Sequence, residues 1–446
     1  MTCVEPIPLV IVEGFLGSAG AVVWGNFEEH SNYACQSNGE KTRRTIFASV
    51  GPVSSLHDRA CELFYLLVGG TVNYGEQHAQ EHAHERLGRS YEIGLYPEWS
   101  ADRPLHFLGH SIGGPTIVKL QWLLATGFFG TGYSADMILS VNTVSAPFRG
   151  TQLVYTLGED ICNAPTVRPF SAGDIMAKGV HLAAYFAPVL PRFLDVHADA
   201  RGLSFRQASF LSFLRQLRKS DWAGSRDVTP YDVTFESADE RESRREGEVH
   251  PRTYYRSYCA TLSAPPGSQS SASWLAWLTA LPMYASSAII SRFDFSNLRP
   301  IPAVMATIAA ASQASKAGSE TAIEDGVIDV VNGGDYLSAA LRANDGVVPL
   351  FSQWHPFDCR CVDTRCRHFD HSDNILLDGP EEARYECAPE AGVWNVHHLA
   401  ETHHLSIVPF WFASASQKAF WLDLGHWLRA IDRTPRGVTV GTCGGC

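Results

Sequence analysis

Compact apolar runs closed by glycine or proline alternate along this chain with stretches in which apolar residues recur every three or four positions. Leu9-Val10-Ile11-Val12, residues 45–50, Leu105 to Leu108 and residues 137–142 are runs of the first kind, and 253–258 carries the aromatic residues of a strand. Runs of this length ended by turn residues read as strands buried on both faces of a sheet. Between them, Leu63, Leu66 and Leu67 follow Asp58 at helical spacing. Ile117, Val118, Leu120, Leu123 and Leu124 follow Pro115 and are closed by Gly127. Proline is tolerated in a first helical turn and glycine at a helix end, so both helices carry their own boundaries. Strands alternating with helices predict an α/β fold with a mostly parallel central sheet and helices on both faces.

The later segments are less regular. Residues 170–194 are apolar and helical in period, with Met176, Val180, Leu182, Ala183, Tyr185 and Phe186 predicted to form one side. Residues 236–250 are dense in charge and predict a solvated loop. The Ser/Pro/Gly-rich text between 262 and 273 reads as a flexible connection. Trp274 to Ile290 carries no charge, but it is shorter than the roughly 20 residues of a membrane span. Pro282 also interrupts it, so a buried or interfacial helix is expected and no transmembrane span. The whole chain, 1–446, is read as one domain with insertions.

Composition narrows the functions. A formal charge of −12 excludes a nucleic-acid groove as the working surface. The first residues show neither a basic leader nor an apolar signal core, and the eleven cysteines cannot all pair. Mostly reduced thiols and a cytoplasmic location are the expectation, with secretion the alternative if a leader precedes this text.

The candidate chemistry sits at the end of the 105–110 run. Gly109-His110-Ser111-Ile112-Gly113 joins a predicted strand directly to a predicted helix, the arrangement of a nucleophile elbow in the α/β-hydrolase fold. The turn strains the serine backbone, so the residues two before and two after it must be glycine-sized. Ser111 is the candidate nucleophile. The first strand ends in Glu13-Gly14-Phe15-Leu16-Gly17, where backbone N–H groups reach the carboxyl edge of the sheet. Phe15 and Ile112 are therefore the candidate oxyanion donors. A serine hydroxyl needs a histidine base and an acid to orient it, in the chain order serine, acid, histidine. Asp345, in an Asn-Asp-Gly turn, suits the acid. His397, His398, His403 and His404 compete for the base, and spacing alone does not rank them.

Several stretches together resemble the thermoalkalophilic zinc lipases of bacilli. They are Gly51-Pro52-Val53-Ser54-Ser55 through Asp58-Arg59-Ala60-Cys61, Val68 to Gly75, Gly88-Arg89, and His110-Ser111 with Gly113-Gly114. Asp227 with Tyr231-Asp232, Asn344-Asp345-Gly346 and Gly392-Val393-Trp394-Asn395 continue the match, while 262–340 and 355–388 lie largely outside it. The resemblance implies His404, nine positions past Asn395 and followed by Leu405, as the base. It also implies a structural zinc held by Asp58, His78, His84 and Asp227, fastening excursions 58–88 and 220–235 to the core. On a straight helix His78 and His84 would lie about 120° apart, whereas His78 and His82 share a face. His84 can thus be a ligand only if the helix breaks. The family's calcium ligands fall on Ser406 and Trp411, so no calcium is expected at that position. Glu13 stands where the family carries histidine, and Ile112 where it carries glutamine.

The resemblance implies a serine ester hydrolase, most simply a lipase acting on acylglycerols through an acyl-enzyme. Segment 170–194 would be its lid, with transient contact to a lipid interface. An esterase or acyltransferase on other acyl groups is the alternative within the class, and a silent hydrolase fold that binds lipid or a partner the alternative outside it. Cys359, Cys361, Cys366, His368 and His371 resemble a metal site in content but match no standard zinc spacing.

Overall fold

The computed structural model describes residues 5–17, 20–37, 39–191, 194–262, 274–305, 341–357, 366–370, 389–408 and 415–434. The described residues form nine strands: β1 (Leu9–Val12), β2 (Thr45–Ala48), β3 (Gly70–Asn73), β4 (Leu87–Tyr91), β5 (Leu105–His110), β6 (Ile138–Val144), β7 (Tyr254–Ala260), β8 (Cys366–Asp370) and β9 (Trp394–Leu399). Seven of them make one sheet in the order β2-β1-β5-β6-β7-β9-β8. Every neighbouring pair in it is parallel, with registers such as Leu9 opposite Thr45 and His106, and Ser257 opposite Val396. β3 and β4 form a separate antiparallel ribbon.

The main helices are α1 (Leu56–Val68), α2 (Glu76–His82), α3 (Gly113–Ala125), α4 (Ala172–Phe186), α5 (Phe210–Arg218), α6 (Phe235–Ser243), α7 (Trp274–Ile290), α8 (Leu350–Gln353) and α9 (Ala415–Arg433). The period-two alternation of β1 divides the core. Val10 and Val12 pack with Leu63 of α1 and Ile117 and Leu120 of α3, whereas Leu9 and Ile11 pack with Trp421, Leu424 and Leu428 of α9. Each face of the sheet is thereby covered, as the continuous apolar strands require. Polar residues inside the strands are paired: His106 Nδ1 meets Ser140 Oγ at 2.7 Å, and Trp394 Nε1 donates to Ser257 Oγ at 2.6 Å.

Two expectations change. Residues 236–250 are not a solvated loop throughout, because 235–243 form α6 and only 244–250 run on as turn and coil. Thr234 caps it by accepting from Ser237 N at 3.1 Å, and Phe235 and Ala238 are buried. Its charges are partnered: Arg149 donates to Glu242 at 2.6 Å, and Lys119 to Glu246 at 2.9 Å. Segment 170–194 does contain a helix, α4, capped by Ser171, but its buried side is Ala177, Val180, His181, Ala184 and Tyr185. Leu182 and Phe186, predicted for that side, are exposed. α7 runs through Pro282 without a break, and no helix among the described residues is long and apolar enough to cross a membrane.

Candidate active site

Ser111 stands at the carboxyl end of β5 with φ of +54°, the strained conformation an elbow imposes. The packing explains its glycines. A Cβ on Gly109 would lie 2.5 Å from the Gly113 carbonyl carbon, and one on Gly113 would run into the Val12 carbonyl at the end of β1. A Cβ on Gly14 would lie 2.8 Å from Ser111 Cβ, so the turn after β1 is pressed directly against the elbow. Arg59 holds that turn in place. Fully buried, it donates to the Glu13 carbonyl at 2.6 Å, the Gly51 carbonyl at 2.7 Å and Thr116 Oγ1 at 2.9 Å. Sequence reasoning gave Arg59 no role, although a cation on the buried stripe of an amphipathic helix is a readable signal. Among the described residues, the N–H groups of Phe15 and Ile112 donate to no protein acceptor, and both residues line the same pocket as Ser111.

Asp345 and His404 reach this edge from distant text. Leu262, just past β7, pins the Asp345 segment there by donating its N–H to the Asn344 carbonyl at 2.9 Å. Asp345 is fully buried and spends one oxygen on the N–H groups of Val347 and Val348, at 2.9 and 2.7 Å. Its other oxygen meets His404 Nδ1 at 2.9 Å, and the His404 N–H donates to the Asp345 carbonyl at 2.9 Å. Gln353 of α8 braces the loop by pairing with both backbone groups of Ala260, at 2.7 and 3.0 Å. His110 bridges the two halves of the site: its Nε2 donates to the His404 carbonyl at 2.9 Å. Burial, and then His404, push the His110 pKa down to about 4, so it does this as a neutral imidazole. Of the four competing histidines only His404 meets Asp345. His397 and His398 lie on β9 against Phe369 and His368, and the His403 Nδ1 accepts from Leu405 N at 3.2 Å.

The pocket in front of Ser111 is lined almost wholly by apolar groups, among them Leu153, Val154, Leu157, Met176 and Val233. Glu159 is the charged residue in this lining, and burial raises its carboxyl to about 7. Met176 comes from α4, which therefore roofs the pocket. The outer surface of this roof exposes Phe170, Ile175 and Leu182, and neighbouring α5 exposes Phe210 and Leu211.

A second cluster lies behind α1. One ligand-capable atom from each of Asp58, His78, His84 and Asp227 falls within 4.8 Å of all the others. The helical objection to His84 is met by the backbone: α2 ends at His82, and Ala83 turns left-handed at φ of +56°, which swings His84 back beside His78. An antiparallel bridge between Ser54 and Val228 brings the Asp227 segment alongside. His84 Nδ1 donates to the Glu85 carbonyl at 2.8 Å, so its Nε2 carries the lone pair. That buried Nε2 faces Asp227 Oδ2 at 3.4 Å without making a hydrogen bond. His78 Nε2 meets Asp58 Oδ1 at 3.2 Å, and the His84 lone pair set beside two carboxylates supplies the N and O ligand types that a zinc ion takes. Arg201 was not foreseen: it donates to Asp227 Oδ2 at 2.6 Å and Asp58 Oδ2 at 3.3 Å, on the outer side of the pair. Burial pushes the Asp227 carboxyl up, but the neighbouring imidazoles of His78 and His84 and the charge of Arg201 outweigh it and hold it well below the usual range. Of the two positions expected to lack calcium ligands, Ser406 accepts from His403 N at 2.8 Å, and Trp411 lies outside the described residues.

Comparison with known proteins places this geometry. Residues 5–330 match the family described as "Lipase-like, C-terminal domain". The lipase of Staphylococcus hyicus is 30% identical over 275 residues, which are 56% of this chain and 40% of that protein. Lipase 1 of Staphylococcus aureus is 29% identical over the same length, 56% of this chain and 38% of its own. The chain thus spans about two fifths of the curated relatives it matches. The crystal structure of the S. hyicus lipase superposes with a TM-score of 0.62 at 23% identity, covering 96% of each chain. Lipase 1 of Pelosinus fermentans gives 0.58 at 23% identity, covering 97% of this chain and 100% of that one. With the parallel sheet, the glycine-walled serine and a match over most of its length, the chain belongs to the family of lipase-like C-terminal domains.

Proposed function

We propose that the protein is a serine ester hydrolase of lipase type, acting on acylglycerol esters through Ser111, His404 and Asp345. The observation that carries this is the strained Ser111 at the mouth of an apolar pocket, with the buried Asp345–His404 pair tied to the same elbow through His110. The lipase names of the staphylococcal relatives point the same way.

Asp345 accepts from Nδ1 of His404, which leaves Nε2 as the base. Ser111 Oγ attacks the ester carbonyl carbon while its proton passes to Nε2. The carbonyl oxygen, now an anion, is held by the N–H groups of Phe15 and Ile112. Collapse of this tetrahedral species breaks the bond to the alcohol, which leaves with the proton from His404, and the acyl group stays on Ser111. Water, deprotonated by the same nitrogen, then releases the acid. The acyl chain lies against Leu153, Val154 and Met176, and the exposed apolar surface of α4 and α5 meets lipid when the roof lifts.

The Asp58, His78, His84 and Asp227 set fits a zinc ion in donor chemistry and orientation. Bound there, zinc would cross-link the two excursions to α1 as a structural ion. Purified protein should then contain one zinc at this cluster. Asp227→Asn should lose it and melt several degrees lower, and an unchanged zinc content would refute the assignment.

The hydrolytic reading is tested with a fluorophosphonate probe and p-nitrophenyl esters of graded chain length. Ser111→Ala should escape labelling, and His404→Ala should lose about three decades or more of turnover, whereas His398→Ala keeps it. Turnover lost with His398→Ala alone would overturn the choice of base.

A further inference from the structure

Among the described residues a second cluster of ligand-type side chains lies at the far edge of the sheet, in a stretch where the sequence resemblance fades. His355, Cys366 and His368 each offer one ligand atom, and the three atoms lie within 4.8 Å of one another. We propose that this is a further metal site, a His₂Cys centre for zinc that clamps β8 to the segment carrying Asp345. The proposal does not depend on the hydrolytic reading or on the Asp58 cluster.

The topology brings the three together. Cys366 and His368 are two apart on β8, so they project from the same face. Among the described residues β8 pairs in parallel with β9 alone, Cys366 opposite Trp394 and Asp370 opposite His398, and is the last strand of the sheet. His355 arrives from the other direction, one residue beyond Trp354 at the end of α8 and ten past Asp345.

The side chains are oriented as ligands are. His355 is buried, and its Nδ1 donates to the Phe357 carbonyl at 2.9 Å, so Nε2 carries the lone pair. A backbone carbonyl holding one imidazole nitrogen so that the other can bind is the usual support around a zinc ligand. His368 is steadied in the same way by its neighbour, with Nδ1 3.1 Å from His398 Nε2 and the two rings stacked at 5.4 Å. Trp354 packs edge-on against His368 at 5.3 Å. Metal bonds of about 2.0 Å to nitrogen and 2.3 Å to sulfur set tetrahedral edges of roughly 3.3–3.8 Å. Closing from 4.8 Å therefore takes shifts of about an ångström at most. His355 is buried and Cys366 half-buried, but His368 is exposed, so an ion has a way in. Cys359, Cys361 and His371 lie outside the described residues, and among the described ones no fourth ligand joins this cluster.

Two imidazoles and a thiolate select a borderline-soft divalent ion over calcium or magnesium, which take oxygen ligands. The site gives His398 a positioning role: it holds His368. It also fastens a strand that, among the described residues, is paired on one side only.

Cobalt(II) replacing zinc separates this centre from the other cluster. A cobalt–thiolate bond gives a charge-transfer band in the near ultraviolet, whereas the Asp58, His78, His84 and Asp227 set contains no sulfur. Full-length protein stripped with chelator and reloaded with cobalt(II) should show this band. Cys366→Ser should abolish it, Asp227→Asn should leave it, and His368→Gln should weaken cobalt affinity at least ~10-fold. Because His368 is exposed, that variant folds even if Cys366→Ser does not. No band in the wild type, or a band undiminished in Cys366→Ser and His368→Gln alike, overturns the proposal. So does wild-type affinity in His368→Gln.

Discussion

Replacing Asp345 by asparagine exchanges one carboxylate oxygen for an NH₂ group and should remove nearly all turnover. Asparagine can present its oxygen either to the backbone N–H groups of Val347 and Val348 or to His404, but not to both. The two backbone donors at 2.9 and 2.7 Å decide the matter. Turning the NH₂ toward them would leave two buried N–H groups unsatisfied, at about 1–3 kcal/mol each. The oxygen therefore stays with the backbone, and the NH₂ faces His404 Nδ1, where Asp345 Oδ2 lies at 2.9 Å. Nδ1 must then accept, the ring proton moves to Nε2, and the histidine can no longer take a proton from Ser111. An inverted tautomer of this kind lowers kcat by about 10⁴, or ~5.5 kcal/mol of transition-state stabilisation. Stability should fall far less, by ~1–2 kcal/mol, as the three charge-assisted bonds of the carboxylate become neutral ones. Steady-state hydrolysis of a p-nitrophenyl ester, beside urea unfolding of the same preparations, measures both. A folded Asp345→Asn protein with kcat within tenfold of wild type would show that Asp345 does not orient the base.

Two further outcomes follow from the same packing. Gly113→Ala should fail to accumulate as folded protein or lose more than ~3 kcal/mol, because the new methyl has only the Val12 backbone to move. Gly127→Ala, with no atom within 4 Å but φ of +73°, should lose only ~1 kcal/mol, and equal losses in the two would refute the steric account of the elbow. Stability should also fall in acid through His110. Native His110 stays neutral down to about pH 4, while the unfolded imidazole protonates near 6.5, so the stability present above 6.5 is lost as pH drops toward 4. The full loss approaches ~3 kcal/mol. Urea midpoints at pH 7 and pH 5 should converge in His110→Asn relative to wild type, and identical pH slopes would remove His110 as the cause.

Features carried by neighbours in the chain were legible before any folding. Gly109-x-Ser111-x-Gly113 declares its turn because a Cβ on Gly109 would strike Gly113 four residues on, although the clash at Gly113 is with Val12 of β1. The central strands declare themselves because both their faces are buried. Charge patterning misled at 236–250. Counting charges could not reveal that Arg149 and Lys119, from other elements, would meet Glu242 and Glu246 and allow a packed helix.

Choices among equivalent residues belonged to the tertiary structure. Four histidines within eight positions differ in nothing that local pattern reports. His404 meets Asp345 because β9 ends before it and Leu262, just past β7, pins the Asp345 segment at the same edge. His84 joins His78 through one left-handed residue at Ala83, a backbone choice made when Asp227 packs alongside. Arg59 and Arg201 acquired their partners only when distant carbonyls and carboxylates were buried around them. Sequence alone determined where the chain turns and which faces are apolar, because those depend on short-range sterics and hydration. Which polar groups meet was decided by folding, because their energies depend on partners that the chain delivers from far away.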